Sequence, residues 1–174
     1  DANDKLLLDF KGTMSEAELR WLHLRTAGAR QSKARRGELR FTPPVGFVWT
    51  DRGLEMDPDE SVRRTIRLLF ERFELEPSGR SVVRWARANK VQWPNRSMCS
   101  GTDELEWRPL KASQLYAMLR NPTYAGIYAY GKRRKRQVIV DGEVHVATSK
   151  EMDMEDWAVR IDDAHEGYIS VSRY

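Results

Sequence analysis

The sequence predicts an α+β fold, dominated by helices, with small β-hairpins and a long N-terminal helix. Three observations carry this. About 20 residues after Ser15 hold few helix breakers, an apolar face recurs at helical spacing from Val62 to Phe73, and the residues around Asp141-Gly142 alternate as a hairpin would. With 174 residues at 40% hydrophobic content, one core and a smaller appendage are within reach. Six Trp, six Tyr and five Phe argue against disorder even at 32% charged residues, because each ring buries a large apolar area.

Along the chain, Lys5 to Phe10 is a short apolar run, and Gly12-Thr13-Met14-Ser15 reads as a turn into the first helix. Ser15 and Glu18 form a capping box, and the helix continues toward Gly37, roughly 30 Å at 1.5 Å per residue. Met14, Ala17, Trp21 and Leu24 give its first half an apolar side to bury, whereas the second half has only Ala27, Ala29 and Ala34. Phe41-Thr42-Pro43-Pro44 breaks the helix and leads into a compact domain. Val45 to Trp49 and Leu54 to Met56 flank Asp51-Arg52-Gly53 as a small hairpin.

Asp57-Pro58-Asp59-Glu60 is a helix start, with Asp57 as the capping acid, Pro58 in the first turn and Glu60 reaching back. Val62, Ile66, Leu69, Phe70 and Phe73 form its apolar face, and Pro77 ends it. Ser78 caps the next helix, which runs through Val82, Val83 and Ala86 to Asn89, a residue able to take the left-handed conformation that closes a helix. Trp93 to Trp107, with Pro94, Ser97, Ser100 and Gly101, reads as irregular. A further helix covers Lys111 to Arg120, with Leu115, Met118 and Leu119 inward, until Asn121-Pro122 stops it. Tyr124 to Tyr130 alternates like a strand. The basic pentad Lys132 to Arg136 joins a hairpin from Gln137 to Thr148, whose turn is Asp141-Gly142 and whose core is Val138, Ile139, Val140, Val144 and Val146. A final strand spans Trp157 to Ile161.

Charge is distributed in blocks. Arg20 to Arg40 holds seven Lys or Arg against the single acid Glu38, and Arg120 to Arg136 holds six against none. After Gln137 nine acids outnumber Lys150, Arg160 and Arg173. The net charge of +4 therefore conceals two cationic patches that favour a polyanionic partner. The single Cys99 excludes an internal disulfide, and with three scattered His residues it offers no metal spacing, so no cofactor or metal is expected in this segment. No apolar run approaches the roughly 20 residues of a membrane span, and no signal-peptide layout opens the chain. A cytoplasmic protein without a membrane partner is expected, and the start at Asp1 reads as an excised segment.

Two blocks resemble the large serine recombinases, the family of phage integrases and transposon resolvases. The first is Leu6-Leu7-Leu8-Asp9-Phe10-Lys11-Gly12-Thr13-Met14-Ser15-Glu16-Ala17-Glu18-Leu19, continued by Lys33-Ala34-Arg35-Arg36-Gly37-Glu38-Leu39. It is similar to the exit of the family's catalytic domain and its connecting helix. The second runs from Pro44-Val45-Gly46-Phe47 through Asp57-Pro58-Asp59 to Leu119-Arg120-Asn121-Pro122-Thr123-Tyr124-Ala125-Gly126, and resembles the family's recombinase domain. The resemblance implies three parts: residues 1–40 as the end of the catalytic domain and connecting helix, 41–136 as the DNA-binding domain, and 137–174 as a β-hairpin and lead-in to a zinc-ribbon-type region.

In that family a Ser attacks a DNA phosphodiester and holds the broken strand as a phosphoserine ester, while arginines stabilise the crowded phosphate. The resemblance places that nucleophile upstream of Asp1, so this segment is expected to be inactive alone. It assigns Arg25, within Glu18 to Arg25, as a contributor to the active site. It also implies a structural zinc downstream of this segment, a double-stranded DNA recombination site as partner, and a parent that is a dimer or tetramer on DNA.

The residues expected to meet DNA are Arg30, Lys33, Arg35, Arg36 and Arg40 on and after the long helix, Arg84 and Arg87 on the helix capped by Ser78, and Lys132, Arg133, Arg134, Lys135 and Arg136. The small Ala27, Gly28, Ala29 and Ala34 suit a rod lying in or near a minor groove about 6 Å wide. The helices from Val62, Ser81 and Lys111, followed by a strand near Tyr128, make a helix-turn-helix module with a β wing. Two alternatives stay open on the same residues: a non-enzymatic helix-turn-helix regulator, and a general nucleic-acid-binding scaffold.

Overall fold

The computed structural model describes residues 2–96, 105–140 and 143–174. The architecture is α+β, as expected, in two compact units, Asp1–Leu39 and Arg40–Tyr174.

The first unit is one helix, α1 (Ala2–Arg35), whose 34 residues extend roughly 51 Å. It passes through Gly12-Thr13 without the expected turn, so Ser15 sits inside the helix rather than at its start. An interior glycine costs about 1 kcal/mol against alanine, too little to break a run otherwise rich in Leu, Lys, Glu and Ala. The end follows the sequence more closely. Gly37 takes φ 73, the Glu38 N–H donates to Lys33 O at 2.9 Å and the Gly37 N–H to Ala34 O at 2.9 Å. These paired bonds are those of a Schellman motif, which needs a residue tolerant of the left-handed region. The apolar side expected to be buried is open: Trp21 is 76% and Leu24 65% exposed. A unit made of one helix supplies nothing for them to pack against. Ala34, expected on the slim face, is buried.

The second unit begins with the hairpin β1 (Phe47–Trp49) and β2 (Leu54–Met56), turning at the expected Asp51-Arg52-Gly53. Helix α2 (Glu60–Leu75) starts two residues later than expected. Asp59 is its cap, accepting from Ser61 N at 2.8 Å, while Asp57 accepts from Asp59 N at 3.0 Å in a preceding turn that leaves Pro58 outside the helix. Val62, Ile66, Leu69 and Phe70 are buried, and Phe73 at the end of the face is 37% exposed. Glu76 is extended, as the residue before Pro77 prefers.

Helix α3 (Gly79–Ala88) is capped by Ser78, with Ser81 completing a reciprocal box. Asn89 does not close it in the left-handed region; the next residue, Lys90, does so at φ 56. The stretch expected to be irregular contains a hairpin, β3 (Gln92–Arg96) with β4 (Leu105–Pro109), pairing Gln92 with Pro109 and Arg96 with Leu105. Cys99, Ser97, Ser100 and Gly101 lie outside the described residues. Helix α4 (Ala112–Leu119) buries Leu115 and Met118 as expected, with Leu119 half-buried.

Tyr124 is not in a strand. Pro122–Ala125 is a buried 3₁₀ turn, capped by Asn121 accepting from Thr123 N at 3.1 Å and closed by Gly126 at φ 75. A side chain at 126 would meet His165 O at 2.7 Å, so both torsion and space require glycine. The strand is shorter, β5 (Tyr128–Tyr130), and pairs antiparallel with the last strand, β8 (Val159–Ile161). Between them stands the hairpin β6 (Arg133–Val140) and β7 (Glu143–Glu151), whose turn residues Asp141-Gly142 lie outside the described residues. The basic pentad is thus mostly inside a strand rather than before it.

One core of Phe47, Ile66, Leu69, Val82, Ala86, Trp93, Leu110, Leu115 and Tyr124, with neighbours, unites β1, α2, α3, the start of β3 and α4. The side chains of Val138, Ile139, Val140, Val144 and Val146, read as sheet core, lie outside the described residues.

Candidate nucleic-acid interface

On α1 the cations Arg25, Arg30, Lys33 and Arg35 are exposed. Arg36 lies just past the helix end and is engaged: its Nε and Nη2 donate to Glu38 at 2.9 and 2.7 Å, and its Nη1 to Ser32 Oγ at 2.9 Å. These bonds hold the Glu38 carboxyl below its ordinary range and raise Arg36 above its own. The one acid of this block is therefore spent on Arg36, with Lys33 adding to the field on it. Arg25, Arg30 and Arg35 have no ion pair among the described residues.

In the second unit the arginines divide by neighbour. On α2, Arg63 pairs with Glu60 at 2.5 Å, Arg67 reaches Glu60 at 3.8 Å, and Arg72 pairs with Glu76 at 2.7 Å while lying 4.6 Å from the Trp85 ring centre. Arg64 is left without an ion pair among the described residues. Helix α3 carries no acid at all. Its Arg80, Arg84 and Arg87 are exposed, with Lys90 just beyond, and none of the four has an ion pair among the described residues.

Arg40 is folded onto its own unit, donating to Thr50 O at 3.1 Å and lying 5.4 Å from the Trp49 ring centre. Lys132 and Arg133 both face Glu151, at 3.3 and 3.8 Å, and Lys132 also lies 5.8 Å from the Trp157 ring centre. The start of the pentad is thus partly neutralised by the opposite strand, where Arg133 is in register with Glu151. A register shift follows between Arg133 and Lys135. The side chains of Arg134, Lys135 and Arg136 lie outside the described residues. Geometry thus sets Arg25, Arg30, Arg35, Arg84 and Arg87 apart as open cations, Lys33 as an exposed one that also acts on Glu38, and Arg36, Arg40, Lys132 and Arg133 as engaged ones. Arg80 joins the open set on helical spacing that the sequence already carried.

Three tyrosines tie distant segments of the second unit together. The Tyr124 hydroxyl donates to Val45 O and the Tyr168 hydroxyl to Gly46 O, each at 2.7 Å, and the Tyr174 hydroxyl donates to Arg120 O at 2.8 Å. Burial pushes the Tyr124 and Tyr168 phenols up, so both remain donors. Phe47 sits edge-on to Tyr124, His165 and Tyr168 at ring distances of 5.5, 5.3 and 5.2 Å. His165 bonds Thr123 O through Nε2 at 2.8 Å; burial lowers its pKa, and the bond to Thr123 partly offsets that.

Among the described residues no three His, Cys, Asp or Glu side chains come together as a metal site. No described helix is long and apolar enough to cross a membrane.

The family model described as Recombinase matches residues 60–174. The chain is 42% identical over 176 residues to the uncharacterized y4bA/y4pH protein of Sinorhizobium fredii, covering 99% of this chain and 24% of that protein. It thus spans about a quarter of the curated relative it matches. A solved structure described as a crystal structure of an LSR-DNA complex superposes with a TM-score of 0.52 at 16% identity, covering 86% of this chain and 35% of that one. At that identity the likeness is one of fold.

Proposed function

The chain belongs to the recombinase family of the large serine recombinases, and from that premise we propose that it is the DNA-binding part of a site-specific recombinase, holding double-stranded DNA at a recombination site. The observation that carries this reading is the exposed cations without an ion pair among the described residues: Arg30 and Arg35 on α1, and Arg80, Arg84 and Arg87 on α3. Lone surface cations are ordinary, but the cations within an unpaired run repel one another unless an anion lies alongside. A phosphate backbone supplies it at regular spacing.

The chemistry of the parent protein is part of the same proposal. A serine outside residues 1–174 would attack the phosphodiester, and Arg25 would help to stabilise the charge of the crowded phosphate. In the full-length parent, Arg25→Ala is expected to abolish strand cleavage while leaving its binding to the recombination site largely intact. A parent acting as a dimer or tetramer is supported by α1, where exposed Trp21 and Leu24 extend a three-four spacing that the sequence also carries at Leu7, Phe10, Met14 and Ala17. That spacing suits a helix partner.

Fluorescence anisotropy of the chain with a 30-base-pair DNA duplex, a matched RNA duplex and a range of salt tests the reading. DNA is expected to be preferred, with log affinity falling by about 0.9 per neutralised phosphate for each unit of log salt. Reversing Arg30, Lys33 and Arg35 to Glu is expected to weaken binding to all sequences and flatten that slope. Indifference between DNA and RNA would overturn the proposal.

A further inference from the structure

Helix α3 is joined to α2 by only Glu76, Pro77 and Ser78, and only Asn89, Lys90 and Val91 separate it from the β3–β4 hairpin. A three-residue connection between two helices packed on a shared core is the layout of a helix-turn-helix, in which the second helix enters the major groove. The hairpin that follows α3 stands where a wing would, in place of the strand near Tyr128, which instead pairs with β8.

The ridge of α3 matches this layout. Gly79, Val82, Val83 and Ala86 are buried, so the helix has one committed inner face. Arg80, Arg84 and Arg87 stand at i, i+4 and i+7, within an arc of about 60° and along about 10.5 Å of axis, turned about 120° from the centre of that face. The small Ala88 flanks the line. No other described helix of this unit presents such a ridge: α2 binds three of its four arginines to acids, and α4 carries no Lys or Arg.

We infer that α3 is the base-reading helix, with Arg84 at the middle of the ridge contacting a guanine edge and Arg80 and Arg87 holding phosphates on either side. The inference rests on the DNA-binding reading above and goes beyond it by naming the element that carries sequence information. A guanidinium presents two parallel N–H donors to guanine O6 and N7, a geometry that the lysine ammonium lacks. Cations on α1 and β6 would add affinity without preference.

Selection from a duplex library with a randomised core, by the full chain and by variants, tests this. The wild type is expected to enrich a motif containing a guanine. Arg84→Ala and Arg84→Lys are expected to lose preference at that position by about tenfold or more, with affinity for random-sequence duplex falling only a few-fold. Arg64→Ala, on the neighbouring helix, is expected to enrich the wild-type motif. Circular dichroism checks that each variant folds, and the lysine variant keeps the charge, so a lost preference there reports geometry. Enrichment of the same motif by wild type and both Arg84 variants would overturn the inference and leave DNA binding standing. Failure of the wild type to bind any duplex would overturn the underlying reading as well.

Discussion

Helices α2 and α3 lie side by side in one core and carry four and three arginines, yet those arginines differ in what remains for them to do. On α2, Glu60 and Glu76 take up Arg63, Arg67 and Arg72, and Trp85 lies against the last. On α3 there is no acid, and the arginines stay open. The same residue type is thus structural on one helix and available on the other, and the neighbours decide which. Exposed ion pairs contribute only about 0.2–1 kcal/mol each to stability, but they withdraw a cation from any external anion.

The largest effect expected from this contrast comes from truncating each set. Arg80→Ala, Arg84→Ala and Arg87→Ala together should lower affinity for duplex DNA by about 100-fold, or about 2.7 kcal/mol, and make the salt dependence shallower by two to three phosphates' worth, at about 0.9 each. Thermal stability should barely move. The matching triple on α2, Arg63→Ala, Arg67→Ala and Arg72→Ala, should do the reverse, lowering stability by about 1–3 kcal/mol and affinity by less than about threefold. Anisotropy and thermal denaturation on both triples decide it. Equal losses of affinity would mean that pairing does not divide the two helices.

A smaller effect tests whether pairing itself is the cause. Glu60→Gln removes the acid shared by Arg63 and Arg67 without removing a cation. It should make α2 more like α3, raising affinity for random-sequence DNA by a few-fold at low salt and costing at most about 1 kcal/mol of stability. Unchanged affinity at 50 mM salt would show that those arginines are out of DNA's reach however they are paired.

Much of this module was legible, because its signals are local. Ser78 caps its helix within three residues and the turn at Asp51-Arg52-Gly53 is set by adjacent residues, whereas the start of α2 was read two residues early because Asp57 and Asp59 both suit a cap. The β3–β4 hairpin was not legible. Its strands meet across residues 97–104, and Pro94 reads as a breaker although a two-stranded sheet has room for it at an edge. Tyr168 and His165 gave no sign of their partners, since Tyr168 reaches Gly46 across 122 positions and His165 reaches Thr123 across 42. At the interface, the density of charge drew attention to the pentad. The signal that separates Lys132 and Arg133 from Arg84 is pairing, and on α2 it can be read from Glu60 to Arg63 and from Arg72 to Glu76 at helical spacing.

The smallest effect expected separates folding from binding by pH. Arginine keeps its charge throughout the working range, so the affinity of folded protein should be flat between pH 5.5 and 7.5. Stability should not be. Burial lowers the pKa of His165 in the folded state, so below its ordinary value of 6.5 the unfolded chain binds more protons than the folded one. The contribution is therefore fully present above about pH 6.5, and is lost as pH falls from there toward the depressed folded value. The chain holds two further histidines, so the measurement is a difference between wild type and variant. Melting temperatures of the wild type should fall more steeply from pH 7.5 to 5.5 than those of His165→Gln, whose amide can still donate to Thr123 O but takes up no proton. Parallel curves would show that folding does not lower the proton affinity of His165, and an affinity that rises on acidification in the wild type alone would place His165 among the groups that meet DNA.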